Sequence, residues 1–407
     1  MRIAFFTDNY LPQPSGIATS VDYFARFLRK SGHTVYIFAP KTRGFKGRED
    51  HVFRLPSVRV MPSLPDGARL PLPIPSKNFW KIIEFDFDII HAHGNGAFSL
   101  LGMVVARAKK VPFVSTFHIQ VDQFAHYFLK GKLIKPKLMD KFFLKKFGKL
   151  CDGLIAPSKK MQDQLIAVGV NKNIPVIPNF VELGKFKNQK KGFLHKKCHI
   201  PESSPVLLSV GRIGKEKNFE FLVRAFKNLT MSDPKVHLVI VGPDWGEVKR
   251  LKKLARQLNL SQTVHFIGSV KLDEMPKVYA DADIFVFASK SEVHPMVAIE
   301  AAASGLPLVV IKDSAYKGIV VNNKNGFMVT EDKEIFAKAL LKLLHNRKLL
   351  KKFKKNSLNL AKSKFGPEIL INKTLLFYAQ TIKDYQLLKL LKTTRESQPI
   401  KTIFGSF

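Results

Sequence analysis

The chain has 407 residues, enough for two domains that each bury a sizeable core. Hydrophobic residues make up 45% of it, as in an ordinary globular protein, and its two cysteines, Cys151 and Cys198, suggest neither a disulfide framework nor a clustered metal site. The amino terminus predicts a short strand, too brief for a signal peptide, and no apolar run is long enough to span a bilayer. We therefore expect a cytoplasmic enzyme.

The charge of the chain is far from balanced. Lysine and arginine number 67 against 32 acidic residues, which gives a net charge of +35. A field of this sign attracts polyanions, whether nucleic acid, an anionic membrane surface or phosphorylated substrates. The alternative is a lineage whose proteins are rich in lysine throughout.

The first part of the chain, as far as about Pro175, alternates short apolar runs with amphipathic segments. Strands are predicted at residues 2–7, 35–39, 89–92 and 112–116, and a helix at 21–31 that ends at Gly32. This order favours a parallel, doubly wound sheet that binds ligands at the carboxyl ends of its strands. Residues 43–78 are rich in Pro, Arg and Gly and predict loops with a short hairpin on the acceptor side.

Two positions in this part are candidates for ligand contacts. Gly16 precedes a predicted helix, where glycine lets the backbone approach a ligand closely, although a plain turn is the favoured explanation of this feature by itself. His118 follows the strand at 112–116 and so lies at its carboxyl end, where a doubly wound sheet holds its ligands. An ordinary hydrogen-bonded histidine is the alternative.

Two acidic and two basic residues invite a metal interpretation. Asp86 and Asp88 lie at a strand entry among phenylalanines, and His91 and His93 point the same way on one strand. No third ligand is evident near either pair, so we predict no metal site.

A ridge of lysines recurs every fourth residue between residues 130 and 150. A helix would align them on one face beside apolar residues that include Phe142 and Phe143; they are Lys137, Lys141, Lys145 and Lys149. Like charges at this spacing repel, so an external anion is expected to compensate them. We predict an interfacial helix on an anionic membrane that serves the acceptor. An ordinary solvated face, or binding of single-stranded nucleic acid, is the alternative.

A second alternating pattern begins after a basic, aperiodic stretch from Gly184 to Pro205. The strand at 206–210 runs into a loop with Arg212 and Lys217, cations that suit a diphosphate leaving group. Two later strand ends, at Gly242 and before Val270, are predicted to hold a nucleotide through main-chain groups. A Gly-x-Gly-x-x-Gly fingerprint and a Walker loop are both missing from the sequence, which disfavours a nicotinamide enzyme or an NTPase.

The segment from Asp281 to Val310 predicts a strand, a polar loop and a helix start. Met296 and Val297 open the helix, where backbone N–H groups favour a phosphate or an electron-rich sugar oxygen. Glu292 in the loop and Glu300 in the helix are spaced to face the same side, and both accept hydrogen bonds from hydroxyl groups. A pair of solvated glutamates is the alternative that spacing alone leaves open.

Together these motifs resemble the retaining GT-B glycosyltransferases of family 4 (group 1). The resemblance rests on Ser15-Gly16, His118, the Gly211-to-Lys217 loop and the Glu292-to-Glu300 segment, in the family's order and approximate spacing over nearly the whole chain. The stretches from Tyr10 to Val21 and from Thr116 to Tyr127 look most like bacterial diacylglycerol alpha-glucosyltransferases.

The resemblance implies an α/β fold of two Rossmann-like, doubly wound domains facing a cleft, with a carboxyl-terminal helix that returns to the first domain. The expected divisions are residues 1–183 for the acceptor side, 184–365 for the nucleotide-sugar side, and 366–407 for the closing helix and tail.

The family also implies roles for particular residues. His118 and Glu292 touch the transferred sugar and Glu300 touches the ribose. Arg212, Lys217 and the helix start below Glu292 stabilise the departing diphosphate, and Gly16 lets the first domain close over the phosphates. No metal is obligatory.

The implied reaction is transfer of a hexose from a nucleotide-sugar, UDP-glucose above all, to a membrane lipid such as diacylglycerol, with retention. The expected place of action is peripheral, on the inner face of the plasma membrane. A phosphatidylinositol, polysaccharide or soluble acceptor stays open, and a sugar-nucleotide epimerase or a basic nucleic-acid-binding protein is a competing class. Ser15, Phe180 and Pro295 stand where many members have glycine, and Pro295 removes one backbone N–H from the loop.

Overall fold

The computed structural model describes residues 1–13, 15–42, 50–59, 69–72, 74, 76–118 and 144–396. The strands of the first half are β1 (Arg2–Thr7), β2 (Thr34–Pro40), β3 (Val52–Leu55), β4 (Ser57–Arg59), β5 (Arg69–Pro71), β6 (Ile89–His93), β7 (Phe113–Thr116) and β8 (Gly153–Ile155). The helices are α1 (Gly16–Lys30), α2 (Lys77–Glu84), α3 (Ala97–Lys109), α4, described over residues 144–150, and α5 (Lys159–Ala167).

Six of the described strands form a parallel sheet in the order β3-β2-β1-β6-β7-β8. Its central strands are buried on both faces: Ile3, Ala4, Phe5 and Phe6 of β1 are inaccessible to solvent, and every residue of β6 is buried. Continuous apolar runs of this kind are typical of a parallel sheet covered by helices on both sides. β4 and β5 pair separately as an antiparallel hairpin, which confirms the predicted hairpin.

The helix α1 begins at Gly16, five residues before the predicted start. Ser15 caps it, because its Oγ accepts a hydrogen bond from the N–H of Ala18 at 3.0 Å. This bond satisfies a helix-terminal N–H that otherwise has no partner. A serine in place of glycine therefore fixes the start of the helix at the cleft.

A second half repeats the architecture. Its strands are β9 (Val206–Val210), β10 (His237–Val241), β11 (Val264–Phe266), β12 (Ile284–Phe287), β13 (Leu308–Ile311) and β14 (Gly326–Val329). Its helices are α6 (Phe193–Cys198), α7 (Phe219–Thr230), α8 (Val248–Gln257), α9 (Met275–Ala280), α10 (Met296–Ala303), α11 (Lys333–Leu344) and α12 (Arg347–Lys364). Among the described residues these strands form a second parallel sheet in the order β11-β10-β9-β12-β13-β14.

The last helix, α13 (Pro367–Glu396), returns to the first sheet as predicted. The hydroxyl of Tyr378 lies 2.5 Å from Nδ1 of His91 on β6, and Phe377 packs where Gly153 of β8 has no side chain. Tyr378 is fully buried. The fold thus consists of two Rossmann-like halves joined by a returning helix, which confirms the predicted fold class. The exact domain boundaries stay predictions.

One of three apolar clusters among the described residues joins the two halves. Val21 and Phe24 of α1 belong to the same buried cluster as Met296 and Ile299 of α10. Across the part of the chain that the structure describes, we find no helix both long and apolar enough to cross a bilayer.

Candidate active site

The loop between β12 and α10 carries the first candidate acid. Glu292 accepts hydrogen bonds from Nζ of Lys217 at 2.5 Å and from Oγ of Ser289 at 2.7 Å. Burial raises the pKa of its carboxyl group, but the charge and hydrogen bond of Lys217, the hydrogen bond of Ser289 and the charge of Arg212 lower it, and the net pKa lies below the usual value. Glu292 is therefore an anion at neutral pH.

The two candidate cations come from the segment between β9 and α7. A short 3-10 turn, Lys215–Lys217, turns the buried side chain of Lys217 towards Glu292. The guanidinium of Arg212 lies 4.2 Å from the centre of the Trp245 ring, which supports its planar group from one side. An ammonium has three N–H donors, and the structure assigns one of them to Glu292. Arg212 and Lys217 can thus bind an anion beside Glu292.

The strand ends of the second sheet meet at this point. The N–H of Gly211 donates to the carbonyl of Val241, and the N–H of Gly242 donates to the carbonyl of Gly268, both at 2.9 Å. Gly242 has φ of +148°, and any side chain there would collide with the Gly211 backbone. This close approach holds the loops that carry Arg212, Gly242 and Gly268 at one edge of the second sheet, and nucleotide binding by Gly242 and Val270 stays a prediction.

Glu300, the second candidate acid, lies within α10. Its carboxylate accepts a hydrogen bond from the Tyr279 hydroxyl at 2.7 Å. Burial raises the pKa of Glu300 above its usual value, and the Tyr279 bond only partly offsets this. A ligand hydroxyl that donates to this carboxylate would favour its charged form.

Gly16 reaches the site from the other half of the molecule. A Cβ atom built on it would lie 3.5 Å from Cγ of Met296, the first residue of α10. Pro295 occupies the N-cap of α10 with φ of −72° and ψ of 111°, an extended conformation that suits proline. The starts of α1 and α10 therefore face each other across the cleft.

A group of buried histidines backs the cleft on the first sheet. Nδ1 of His93 lies 3.3 Å from Nε2 of His118, and their rings are stacked at 19°. Burial lowers the pKa of His118 to about 4, and burial with the neighbouring rings lowers that of His93 well below the usual value. Both are neutral at pH 7, so His118 can donate or accept one hydrogen bond but brings no charge.

Comparisons with known proteins identify the protein family to which this arrangement belongs. Residues 14–185 match the model of Glycosyltransferase Family 4, and residues 190–359 match that of Glycosyl transferases group 1. The chain is 34% identical over 80% of its length, and 74% of the relative's, to the alpha-monoglucosyldiacylglycerol synthase of Streptococcus pneumoniae. The chain belongs to the group 1 glycosyltransferases.

Two further comparisons extend this assignment. The alpha-monoglucosyldiacylglycerol synthase of Acholeplasma laidlawii is 29% identical over 88% of this chain and 92% of its own. The crystal structure of Anabaena HepE in complex with UDP-glucose superimposes with a TM-score of 0.73 at 19% identity, over 94% of this chain and all of that one. The second likeness concerns the fold and confirms the GT-B architecture of this glycosyltransferase.

The predicted donor residues of the glycosyltransferase converge on the cleft. Lys217 contacts Glu292 directly, Arg212 contributes to its electrostatics, and Gly16 abuts Met296. Val297, half-buried in the first turn of α10, and Glu300 follow on the same helix. Their roles towards a donor stay predictions.

The lysine ridge is only partly visible. Lys137, Lys141, Phe142 and Phe143 lie outside the described residues. Lys145 and Lys149 are exposed on α4, in agreement with a charged outer face. Phe147 of the same helix is buried and packs edge-on against Phe113 and Phe117, so this aromatic residue belongs to the core of the first half.

The two metal candidates of the sequence have other partners. Asp88 accepts a hydrogen bond from the backbone N–H of Arg2 at 2.7 Å, and Asp86 pairs with the Arg2 guanidinium at 3.4 Å, at the entry end of β6. His91 bonds Tyr378 and, at 2.8 Å, the Thr116 hydroxyl. The described residues contain no group of three or more His, Cys, Asp or Glu placed to hold a metal ion.

Several residues of the site escaped the sequence analysis. Ser289 and Tyr279 hold the two glutamates, and Trp245 supports Arg212. Lys160 of α5 donates to the backbone carbonyl of Glu292 at 2.9 Å. Ser289 lies three residues before Glu292 and its type is suited to a turn, which is the single local signal among them; the other partners become apparent only in the folded chain.

Proposed function

We propose that this glycosyltransferase moves glucose from UDP-glucose to the free hydroxyl of diacylglycerol at a membrane surface, with retention. One observation of the structure carries the donor part: Arg212, Lys217 and the anionic Glu292 form a compact charged group at the carboxyl edge of the second sheet. The 34% identical relative named as an alpha-monoglucosyldiacylglycerol synthase supports the acceptor part, and HepE, solved with UDP-glucose, supports the donor.

In the proposed reaction Arg212 and Lys217 bind the diphosphate. As the bond between the sugar carbon C1 and the phosphate oxygen breaks, negative charge grows on the leaving group, and these two cations stabilise it. No metal is obligatory in this proposal, because the side chains supply the positive charge. The acceptor oxygen bonds to C1 on the same face, and its proton passes to the departing diphosphate.

The remaining residues orient the donor. The carboxylate of Glu292 accepts a hydrogen bond from a glucose hydroxyl while Lys217 keeps it ionised. Glu300 accepts from the ribose hydroxyls, which replace the solvent that its buried carboxylate has lost. Neutral His118 contacts the sugar from the first sheet. Positioning of both reactants in a closed cleft accounts for the rate.

A second surface supports the membrane part of the proposal. Exposed apolar side chains lie on α2, on the β4-β5 hairpin and in the segment between β5 and α2; they are Val58, Leu70, Ile74, Trp80 and Ile83. Trp80 is 51% and Ile83 55% exposed, one turn apart on α2. Lys77 lies three residues before Trp80 on the same side of the helix.

Apolar rings flanked by lysines suit the interface of an anionic bilayer, because the rings enter the headgroup region while the ammonium groups attract the lipid charge. The exposed Lys145 and Lys149 of α4 and the net charge of +35 add to this attraction. We therefore propose a peripheral enzyme on the anionic inner face of the plasma membrane, where its acceptor is embedded.

A radiolabelled transfer assay tests the function. UDP-glucose, UDP-galactose and GDP-mannose are offered separately, each with and without diacylglycerol in anionic vesicles. We expect label in the lipid phase with UDP-glucose and diacylglycerol together. Label in lipid from GDP-mannose alone would overturn the donor assignment. Donor hydrolysis that never labels the lipid would overturn the acceptor assignment.

A further inference from the structure

The three central strands of the first sheet end in a common alignment. Thr7 of β1 pairs with His93 of β6, and His93 pairs with Thr116 of β7. Two residues beyond each of these positions stand Asn9, Asn95 and His118. Parallel strands in register carry their following residues to the same edge, so three polar side chains stand in a row there.

Two of these side chains, and His93 beneath them, carry polar atoms without a partner. Within the part of the chain that the structure describes, Oδ1 of Asn9, Nδ2 of Asn95 and Nε2 of His93 are buried and make no hydrogen bond. Asn95 is 7% and His93 1% exposed. Buried polar groups almost always have partners, and one left unpaired costs stability. The two amide atoms at neighbouring strand ends indicate a ligand that supplies their missing bonds.

The backbone around these atoms is firmly held. The hydroxyl of Thr7 donates to the carbonyl of Asn9 at 2.8 Å and accepts from its N–H at 3.3 Å. The carboxylate of Asp8 accepts from the N–H of Phe98 at 2.9 Å, and Gly96 lies so close to Asp8 that no side chain fits between them. Asp8 thus connects the loop of Asn95 to the loop of Asn9. The backbone that carries the two unpaired amide atoms is therefore held in place.

The unpaired atoms define the chemistry of the ligand. Oδ1 of Asn9 only accepts a hydrogen bond and Nδ2 of Asn95 only donates one. A hydroxyl group both donates and accepts, so its chemistry matches both atoms, whereas an ionised phosphate oxygen has no proton to offer Asn9. Neighbouring His118 lies on the same edge, against His93, and in the proposed function it contacts the transferred glucose.

We propose that Asn9 and Asn95 bind the attacking hydroxyl of the acceptor: its O–H donates a hydrogen bond to Oδ1 of Asn9, and its oxygen accepts one from Nδ2 of Asn95. As the bond to C1 forms, the proton leaves Asn9 for the departing diphosphate. This inference rests on the proposed function, since it assigns the acceptor hydroxyl of the same transfer. It locates that hydroxyl on the first sheet, beside the sugar-contacting His118. Both asparagines are acceptor-binding residues.

A matched pair of substitutions tests this role in the full chain. Asn95→Asp replaces the donating Nδ2 with an oxygen, and Asn171→Asp adds the same charge at an exposed asparagine of the first half. With UDP-glucose and diacylglycerol vesicles, we expect Asn95→Asp to raise the KM for diacylglycerol about tenfold or more, as the loss of one hydrogen bond predicts. Asn171→Asp should stay within about twofold of wild type, and the KM for UDP-glucose should be unchanged in both.

Alanine variants separate binding from folding. Since neither Oδ1 of Asn9 nor Nδ2 of Asn95 has a partner among the described residues, Asn9→Ala and Asn95→Ala should unfold no more than a few degrees below wild type, yet each should raise the KM for diacylglycerol about tenfold. Equal effects of the two aspartates, or alanine variants with the wild-type acceptor KM, would overturn the inference alone. A wild-type chain that labels no diacylglycerol would overturn the proposed function, and the inference with it.

Discussion

Lys217 and Glu292 form an ion pair that is about nine-tenths buried, with side-chain exposures of 11% and 12%. Removing two charges from water costs about as much as their attraction returns, so such a pair adds little to the stability of the fold. Its value lies in preorganisation: Glu292 stays ionised and Lys217 stays pointed into the cleft before any donor arrives.

Lys217→Ala should therefore lower kcat/KM for glucose transfer by about 100-fold or more, because the growing charge on the diphosphate loses one of its two cations. Lys215→Ala is the matched control, since Lys215 lies in the same 3-10 turn but is exposed. It should keep near-normal transfer. Steady-state kinetics of the two purified variants decide the point, and equal kcat/KM values would remove Lys217 from the mechanism.

The raised pKa of Glu300 predicts how the stability of the fold depends on pH. Its folded-state pKa is raised by burial, so the folded protein holds this proton more tightly than the unfolded chain does. The charged carboxylate therefore destabilises the fold progressively as the pH rises from the ordinary pKa of a glutamate through the raised pKa of Glu300. Glu300→Gln should be at least as stable as wild type at pH 7, with the difference vanishing below about pH 4.

The same substitution should weaken the donor site. A neutral amide binds ribose hydroxyls less strongly than a carboxylate, so the KM for UDP-glucose should rise about tenfold. Thermal unfolding across pH and donor titration measure the two effects. A variant that loses stability at pH 7 and keeps its donor KM would show that Glu300 serves the fold.

At the scale of single elements, α2 combines an apolar ridge with lysines and leaves Trp80 and Ile83 exposed. Trp80→Ala should weaken binding to anionic vesicles about tenfold or more, since a large ring no longer enters the interface. Met231→Ala is the control, because Met231 is 76% exposed at the end of α7 in the second half of the molecule. Vesicle co-sedimentation measures both, and equal binding would remove α2 from the membrane surface.

The elements differ in how far the sequence predicts them. Apolar runs such as Ile284 to Phe287 predict β12, and the residues after Pro295 predict α10, because period and composition are local properties. The start of α1 was missed, since residues 16–20 carry no clear apolar period and the hydroxyl of Ser15 sets the helix start.

The residues of the site likewise divide into those that the sequence predicts and those that only the structure reveals. Resemblance to a known family selected Glu292 and Lys217, and the structure pairs them across 75 positions of sequence. Tyr279, Trp245 and Lys160 could not be found in this way, because each acts through a contact that only tertiary folding creates. Unpaired atoms such as Oδ1 of Asn9 are visible only once all other bonds are known.

At the scale of the whole molecule, polar contacts hold the two halves together across the cleft. Nζ of Lys160 on α5 binds both carboxylate oxygens of Asp313, at 2.9 and 3.0 Å, as well as the carbonyl of Glu292. On the other side Nδ2 of Asn179 donates to the carbonyl of His294 at 3.2 Å. Lys160 thus links the first half to the loop that holds the donor acid.

Loss of this link should loosen the closed arrangement. Lys160→Met and Asp313→Asn should each lower the unfolding temperature by a few degrees and raise the KM for UDP-glucose, and the double variant should be no worse than the poorer single one. A double-mutant cycle measures this coupling. Additive losses would show that the two residues act independently and that the pair does not hold the halves together.

The anomeric configuration of the lipid product tests directly whether glucose is transferred to diacylglycerol with retention. Wild-type enzyme is incubated with UDP-glucose and diacylglycerol in anionic vesicles, the glycolipid is extracted, and the coupling of its anomeric proton is read by NMR. We expect a single alpha-linked glucosyl diacylglycerol. A beta-linked product would contradict retention, and glucose found only in the aqueous phase would contradict transfer to lipid.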